Sequence, residues 1–272
     1  MRQWFTQTAK PAAEPQFPER GPFDAVVIGG GHNGLVCAGY LAQGGLRVVL
    51  CEAKDRVGGA CVTRDFADGF RVSAGAQLVQ GLHPRIVRDL KLQKYGLKFA
   101  AKHLAAVTTD GEGGALRWGG EVWQMQQALQ AVSAADAEAL PGFVERCDVL
   151  ADIVAAAMRE AVPVAAGGHR SGGGALKELR DALGTLDRDV ARTLMRHVMA
   201  ASADILDESF ETDLFKGLVA ADSVIGMAAG PRWPGSMLSL LARGSWRHGK
   251  SGERKALPEG GLGALTDALE AA

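Results

Sequence analysis

The stretch that decides the fold is DAVVIGGGHNGLVCAGYLA, residues 24–42. Its apolar run over 24–29 ends in glycine, which is typical of a buried strand of a parallel sheet. Apolar residues at helical spacing follow over 33–43, until two glycines stop the pattern. A second apolar run over 46–52 predicts another buried strand. Strand, helix and strand form a βαβ unit, and its right-handed crossover places the two strands side by side and parallel.

Three glycines between the strand and the helix have the spacing of a phosphate-binding turn. Gly29 permits a tight turn off the strand, and Gly31 lets a pyrophosphate approach the backbone because glycine has no β-carbon. Gly34 lets the helix pack closely on the strand. The backbone N–H groups of the first helical turn and its positive dipole end then meet the phosphates. The spacing predicts a site for an adenine dinucleotide.

An acidic residue ends the second strand, as such a site requires. The carboxylate of Glu52 can accept hydrogen bonds from the hydroxyl groups of adenosine ribose, and it would repel a 2′-phosphate, which argues against NADP. Arg56 and the pair Gly58-Gly59 follow it. The arginine could neutralise a phosphate, and the glycine pair would let a second loop approach the same cofactor.

Residues 26–77 resemble the FAD-binding opening of the phytoene desaturase-like flavoproteins. The features that match are the first strand, the turn GGGHNGL, the acidic residue and the segment VGGA. Weaker similarity continues through LHPRIVRDLKLQKYGL at 82–97, AADSVIGMAAGPRWPGS at 220–236 and LPEGGLGALTDAL at 257–269. The resemblance therefore extends over most of the chain, but it covers only the N-terminal half of such proteins.

The resemblance implies an FAD-dependent oxidoreductase in which flavin N5 accepts a hydride from a C–H bond of a small, apolar substrate. The implied FAD contacts are Gly29, Gly30, Gly31, His32, Asn33, Gly34, Glu52, Ala53, Arg56, Gly58, Gly59 and Ala60. No catalytic residue stands out, and no cluster of cysteine, histidine and acidic residues has the spacing of a metal site.

The predicted fold class is α/β, with a Rossmann-like FAD-binding βαβ domain and an α+β substrate domain. Residues 1–22 are expected to be a flexible extension, 23–100 the first part of the FAD-binding domain and 101–255 a helical substrate or cap domain. Residues 256–272 are expected to begin a return to the FAD-binding domain. Because members of the family are longer, a missing C-terminal half or a second chain would complete the flavin site.

The predicted cap domain begins with a β-hairpin around Asp110-Gly111 and continues with helices. We expect a helix from Ser133 onward, a linker over 166–174, helices over 176–186 and 190–198, and another helix capped by Ser209 or Thr212.

Composition and charge exclude some function classes. The chain has 47% hydrophobic residues and a formal charge of −1, which argues against nucleic acid as a partner. The sequence has neither a secretory signal nor an apolar run of about 18 residues. We therefore expect a cytoplasmic protein without a membrane span. A location in the mitochondrial matrix and peripheral membrane association stay open. The four cysteines lack CxxC spacing, and we expect reduced, mostly buried thiols.

Three further motifs have tempting functional interpretations. Residues 244–251 fit the P-loop pattern, but the glycine and proline that follow oppose the helix this motif needs, so we expect a basic surface loop. Cys61 stands where flavin disulfide reductases have a redox cysteine, yet the partner position holds Phe66. We therefore expect no disulfide chemistry there. His83 and His248 are expected to be structural or exposed.

Two other functions stay open. The chain could be a non-enzymatic dinucleotide-binding fragment or assembly module, in which the glycine turn serves folding alone. It could also be an NAD-dependent dehydrogenase, which would hold a nicotinamide cofactor in the same turn.

Overall fold

The computed structural model describes residues 21–102, 104–159, 184, 187–244 and 255–272. The chain divides into two compact units. The first unit comprises Met1–Lys102 and Lys255–Ala272, and the second comprises His103–Arg254. The predicted extension up to residue 20, the linker 166–174 and the predicted helix 176–186 lie outside the described residues, apart from residue 184.

The elements of the described part follow in chain order. The strands are β1 (Ala25–Ile28), β2 (Val48–Cys51), β3 (Thr63–Ala67), β4 (Phe70–Ser73), β5 (Phe99–Ala101), β6 (Ala106–Thr109), β7 (Ala115–Trp118) and β8 (Leu257–Pro258). The helices are α1 (His32–Gln43), α2 (Pro84–Asp89), α3 (Val122–Gln130), α4 (Ala134–Arg159), α5 (Arg188–Met199), α6 (Ser202–Ser209), α7 (Asp213–Val224), α8 (Ser236–Arg243) and α9 (Gly263–Ala271).

The first unit opens with the predicted βαβ arrangement. β1 and β2 pair in parallel and in register over their whole length, and α1 connects them and packs on both. The Rossmann-like prediction is therefore confirmed. Among the described residues these two strands form a two-stranded sheet.

The burial predicted for these strands is wrong on one face of the sheet. The side chain of Val26 is 61% exposed and that of Ile28 is 88% exposed. Side chains alternate along a strand, and α1 covers the face to which Val27 points, where its Cγ1 would lie 3.5 Å from a β-carbon on Gly34. The opposite face therefore presents its apolar side chains to solvent.

The C-terminal segment belongs to the first unit. β8 pairs antiparallel with β5, and α9 packs on α1. Leu265 and Leu269 of α9 are buried in the same apolar core as Leu35 of α1. Residues more than 200 positions apart in sequence thus build one core around the βαβ unit.

The second unit begins with the predicted hairpin. β6 and β7 pair antiparallel from Ala106 opposite Trp118 to Thr109 opposite Ala115. In the turn, one carboxylate oxygen of Asp110 accepts hydrogen bonds from the N–H groups of Glu112 and Gly114, at 2.8 and 2.9 Å. This turn chemistry fixes the hairpin.

The helices of the second unit enclose an aromatic core. Trp118 packs edge-on against Phe215, with ring centroids 6.0 Å apart, and Phe210 lies 5.0 Å from both Phe143 and Phe215. The predicted helices after Ser133 and over 190–198 are present as α4 and α5. Such edge-to-face packing adds to the burial of large aromatic area.

Helix α7 starts where the sequence indicates but is capped differently. Thr212 is its N-cap residue, yet the Thr212 side chain makes no capping hydrogen bond. The buried carboxylate of Asp136 instead fixes the two residues that lead into the helix, because it accepts hydrogen bonds from the N–H groups of Glu211 and Thr212, at 2.7 and 2.9 Å. Burial acts to raise the pKa of Asp136, but hydrogen bonds from the Thr212 side chain and from these two N–H groups outweigh it and lower the pKa.

The P-loop pattern at 244–251 lacks the strand that its chemistry requires. The element before it is a helix, α8, which ends at Gly244 in the left-handed conformation. The motif residues 245–251, with His248, lie outside the described residues. His83 has the structural role expected of it, because its ring nitrogen Nδ1 caps α2 by accepting the N–H of Arg85 at 3.2 Å.

All four cysteines are free thiols, but only Cys61 and Cys147 are buried. The expectation of mostly buried thiols is therefore wrong for Cys37 and Cys51. Cys51 pairs with Ile28 across the sheet, on the exposed face. Burial raises the pKa of Cys147 to about 12. Among the described residues we find no cluster able to hold a metal ion and no helix with the length and apolar character that a membrane crossing requires.

Candidate dinucleotide-binding site

The first glycine loop, residues 29–34, has a backbone that larger residues could not form. Gly29 has a φ of +98°, a left-handed conformation that favours glycine. A β-carbon on Gly34 would lie 2.0 Å from the carbonyl oxygen of Gly29, so α1 could not begin so close to β1. Both glycines therefore have the geometric roles predicted for them.

Gly31 is different because none of the residues that the structure describes crowds it. A β-carbon there would meet only the Cα of Gly59, at 4.0 Å, and its φ of −70° suits any residue. The first helical hydrogen bond of α1 runs from the N–H of Leu35 to the Gly31 carbonyl, at 2.9 Å. The N–H groups of His32, Asn33 and Gly34 precede that bond, so the open space lies beside the positive end of a 12-residue helix.

Glu52 lies directly beside this loop. Its Oε2 accepts a hydrogen bond from the N–H of Gly30 at 2.7 Å, and its Oε1 accepts one from the N–H of Lys54 at 3.0 Å. These backbone donors, Lys54 first, lower the pKa of Glu52 and keep it ionised. Because a carboxylate has about four acceptor positions, it can still bind ribose hydroxyl groups.

The second glycine loop, residues 56–61, contacts the first loop through its backbone. The N–H of Gly58 donates to the carbonyl of Gly30 at 2.7 Å, and Gly58 and Gly31 form an isolated parallel β-bridge. A β-carbon on Gly59 would lie 3.0 Å from the Cα of Gly31. The glycine pair thus allows this loop to lie on the first loop, which the sequence alone did not indicate.

The side chain of Arg56 is paired with another residue of the chain and does not simply extend into solvent. Its guanidinium forms an ion pair with Asp267 of α9, with Nη2 2.6 Å from Oδ1, and this contact raises the pKa of Arg56. The side chains of both residues are about half exposed. An arginine engaged in this way is oriented by α9, and its expected role as a phosphate partner stays a prediction.

The other candidate residues surround the two loops. His32, Asn33, Ala53 and Ala60 are exposed, consistent with surface available to a ligand. The sulfur of Cys61 lies 3.8 Å from Nδ1 of His32, and burial raises the pKa of this thiol. A protonated thiol is a poor nucleophile, which agrees with the absence of a cysteine at position 66.

Sequence reasoning missed three residues that support the site. Thr63 accepts the N–H of Gly263 at 2.9 Å through its hydroxyl group. Thr266 donates its hydroxyl hydrogen to the carbonyl of Cys61 at 2.8 Å, and Asp267 pairs with Arg56. The segment LPEGGLGALTDAL had shown a family resemblance, but nothing in its spacing identified these contacts.

Comparison with known proteins agrees with this geometry. The family model described as NAD(P)-binding Rossmann-like domain matches residues 27–91, which contain both glycine loops. The chain is 34% identical over 273 residues to "Pyridine nucleotide-disulfide oxidoreductase domain-containing protein 2" of Rattus norvegicus. This match covers 91% of the chain and 45% of the rat protein, so the chain spans less than half the length of this relative.

Other similar proteins cover smaller parts of the chain or share only its fold. A limonene dehydrogenase component from Castellaniella defragrans, named as one of the subunits of that enzyme, is 34% identical over 116 residues, 42% of this chain and 21% of that protein. A putrescine oxidase with a redesigned cofactor site has a TM-score of 0.56 at 20% identity. The match covers 92% of this chain and 48% of the oxidase chain. Cyclohexylamine oxidase from Brevibacterium oxydans has a TM-score of 0.55 at 19% identity. The match covers 92% of this chain and 49% of that oxidase chain.

Proposed function

We propose that this chain is the dinucleotide-binding part of an FAD-dependent oxidoreductase of the phytoene desaturase-like type. Its NAD(P)-binding Rossmann-like domain and its homology to pyridine nucleotide-disulfide oxidoreductase domain-containing protein 2 support this proposal. The observation that carries the proposal is the open space over Gly31. It lies at the N-terminal end of α1, beside Gly59 of the second glycine loop.

Each part of the site would bind a different part of the cofactor. Gly31 leaves room for the pyrophosphate, and the N–H groups of the first turn of α1 would bind its oxygens. Glu52 would accept hydrogen bonds from the ribose hydroxyl groups. Bound FAD would supply the redox chemistry, with a hydride from a substrate C–H bond transferred to flavin N5.

FAD is preferred over NAD because of the second glycine loop. A nicotinamide dehydrogenase needs only the first loop and the acidic residue, whereas here Gly58 and Gly59 place a second backbone segment against the first. The resemblance of residues 26–77 to FAD-binding proteins supports the same choice.

The substrate is proposed to be small and apolar. The relative named for limonene, an apolar hydrocarbon, supports this class, and its name describes one component of a larger enzyme. The chain spans 45% of the rat relative. We therefore propose that a second chain, or further sequence equivalent to the rest of the relatives, completes the flavin site. The cytoplasm is the proposed compartment because four free thiols suit a reducing environment.

A flavin titration of the 272-residue chain tests the proposed function. We expect FAD fluorescence to change saturably and ADP to compete, because the candidate site would bind the ADP half. Gly31→Val places methyl groups in the open space and should weaken FAD binding at least about 30-fold. Glu52→Gln removes the charged acceptor and should weaken binding about tenfold.

Gly217→Val is the matched control, since Gly217 also has open space around its missing β-carbon but lies on α7. It should bind FAD as the wild type does. If NAD⁺ binds at least as tightly as FAD, the site belongs to a nicotinamide dehydrogenase. If Gly31→Val binds FAD as tightly as Gly217→Val, the assignment of the site is wrong.

A further inference from the structure

The shape of the candidate site depends on where the second glycine loop lies. The backbone of Gly58 is hydrogen-bonded to Gly30 at 2.7 Å, and the Cα of Gly59 faces Gly31. Gly31 is the position that a pyrophosphate would approach. A shift of the second loop would therefore move the wall beside the phosphates, even with the first loop unchanged.

Helix α9 holds both ends of the second loop. At one end, the hydroxyl group of Thr266 donates to the carbonyl oxygen of Cys61 at 2.8 Å, across 205 residues of sequence. At the other end, Asp267 pairs with Arg56 across 211 residues. Two adjacent residues of one helix thus fix the two ends of a six-residue loop.

Thr266 also fills the space beneath the loop. It is 1% exposed, and a β-carbon on Gly58 would lie 3.1 Å from its hydroxyl oxygen. The close approach of Gly58 to Gly30 on one side is therefore matched by its close approach to Thr266 on the other. The loop is held between the first glycine loop and α9.

Helix α9 is itself firmly placed. The N–H of Gly263 donates to the hydroxyl oxygen of Thr63 at 2.9 Å, and the N–H of Leu262 donates to that of Ser73 at 3.1 Å. Its apolar side packs into the core of the first unit with Leu265 and Leu269. An element fixed by its own hydrogen bonds and core contacts can hold a loop in one position.

We propose that Thr266 and Asp267 are positioning residues of the dinucleotide site, which hold the second glycine loop against the first in the arrangement that an adenine dinucleotide needs. The inference rests on the proposed function. In this proposal, Arg56 connects the second glycine loop to α9 through its ion pair with Asp267. If Arg56 were instead a phosphate ligand, Asp267 would compete with the phosphate, and the two roles predict opposite effects for the loss of Asp267.

Thr266 variants separate positioning from simple loss of packing. Thr266→Val keeps the shape and removes the hydroxyl group, and Thr266→Ser restores it. In FAD and ADP titrations of the full 272-residue chain, we expect Thr266→Val to weaken binding of both ligands about tenfold. We expect Thr266→Ser to bind within about threefold of the wild type. Equal binding by wild type and Thr266→Val would overturn the proposal.

Asp267→Asn provides a second measurement. Because Asp267 is exposed, this variant should fold even if Thr266→Val folds poorly. We expect weaker FAD binding by about threefold to tenfold. Glu270→Gln removes a charge that acts on Arg56 without hydrogen-bonding it, and should change binding less than Asp267→Asn does. Tighter binding by Asp267→Asn would show that Arg56 is a phosphate ligand and would overturn the positioning role.

The two proposals fail in different ways. If the wild-type chain binds neither FAD nor ADP, the dinucleotide function and the positioning role both fall. If the wild type binds and the Thr266 and Asp267 variants bind equally well, only the positioning role falls.

Discussion

The two units of this chain are stabilised in different ways. The second unit encloses Trp118, Phe143 and Phe215 almost completely, with Trp118 edge-on to Phe215 and tilted against Phe143. The first unit has a largely aliphatic core that includes Leu35, Leu92 and Leu265, and it leaves Val26 and Ile28 exposed on one face of its sheet. An enclosed aromatic core distinguishes the second unit, whereas an exposed sheet face and two glycine loops in backbone contact distinguish the first.

This difference shows where a ligand and further polypeptide would act. In the second unit the aromatic core is already buried, so association with another chain would bury little more of that core. An exposed apolar sheet face, in contrast, favours association with another layer. Next to that sheet, the first glycine loop keeps room for a ligand at Gly31, where a β-carbon would meet only the Cα of Gly59 among the described atoms. The first unit is therefore the one whose properties should change when something binds.

The largest expected effect comes from breaking the aromatic core. Phe215→Ala should lower the free energy of unfolding by about 3–5 kcal/mol, since it removes a fully buried ring in contact with Trp118 and Phe210. Urea unfolding followed by tryptophan fluorescence measures this, because Trp118 is buried in the same core.

Phe66→Ala makes the same chemical change at a ring that is 68% exposed on the β3–β4 hairpin of the first unit. It should cost less than about 1 kcal/mol. Similar losses at the two positions would contradict the contrast between an enclosed core and an open unit.

A smaller effect is expected from the buried carboxylate of Asp136, which fixes the two residues that lead into α7. Asp136→Asn should lower the free energy of unfolding by about 1–3 kcal/mol at neutral pH, because an amide cannot accept hydrogen bonds through both of its polar atoms. Asp213→Asn is the matched control, at an exposed aspartate in the first turn of the same helix, and should change stability by less than about 0.5 kcal/mol.

The stabilisation by Asp136 should also depend on pH. Its pKa is lower in the folded chain than in an unfolded one. The contribution is therefore complete above the ordinary aspartate pKa of about 3.9 and is lost as pH falls through the lower folded value. Unfolding curves between pH 7 and pH 2 should converge for wild type and Asp136→Asn at the acidic end. A constant difference would assign the stabilisation to another group.

The smallest effect on stability, and the sharpest test of the open face, comes from Ile28→Lys. Because Ile28 is 88% exposed, the variant should unfold within about 0.5 kcal/mol of the wild type. It should nevertheless reduce self-association, since a charge on an exposed sheet face opposes contact with another chain. Sedimentation velocity over a range of concentrations measures this.

Val107→Lys is the control, at a 61% exposed position on β6 of the second unit, and should leave self-association unchanged. A wild-type chain that stays monomeric at high concentration, or equal effects of the two lysine variants, would show that the sheet face does not mediate association.

The sequence determined the local structure of the βαβ unit because its signals are local. The apolar runs, the glycine spacing and Glu52 lie within 30 residues, and each glycine has a stereochemical role that spacing alone reveals. The hairpin around Asp110 was predictable for the same reason, since a turn is set by the residues within it. The helical periodicity after Ser133 also indicated the helices that the structure contains.

Only the tertiary structure decided which residues support that site. The contacts of Thr266 with Cys61 and of Asp267 with Arg56 span more than 200 residues, and no pattern within either segment indicates its partner. The exposure of Ile28 was likewise unpredictable, because an apolar strand has the same sequence whether one face is covered or both. Local preferences are encoded residue by residue, whereas burial and long-range pairing depend on which segments fold against each other.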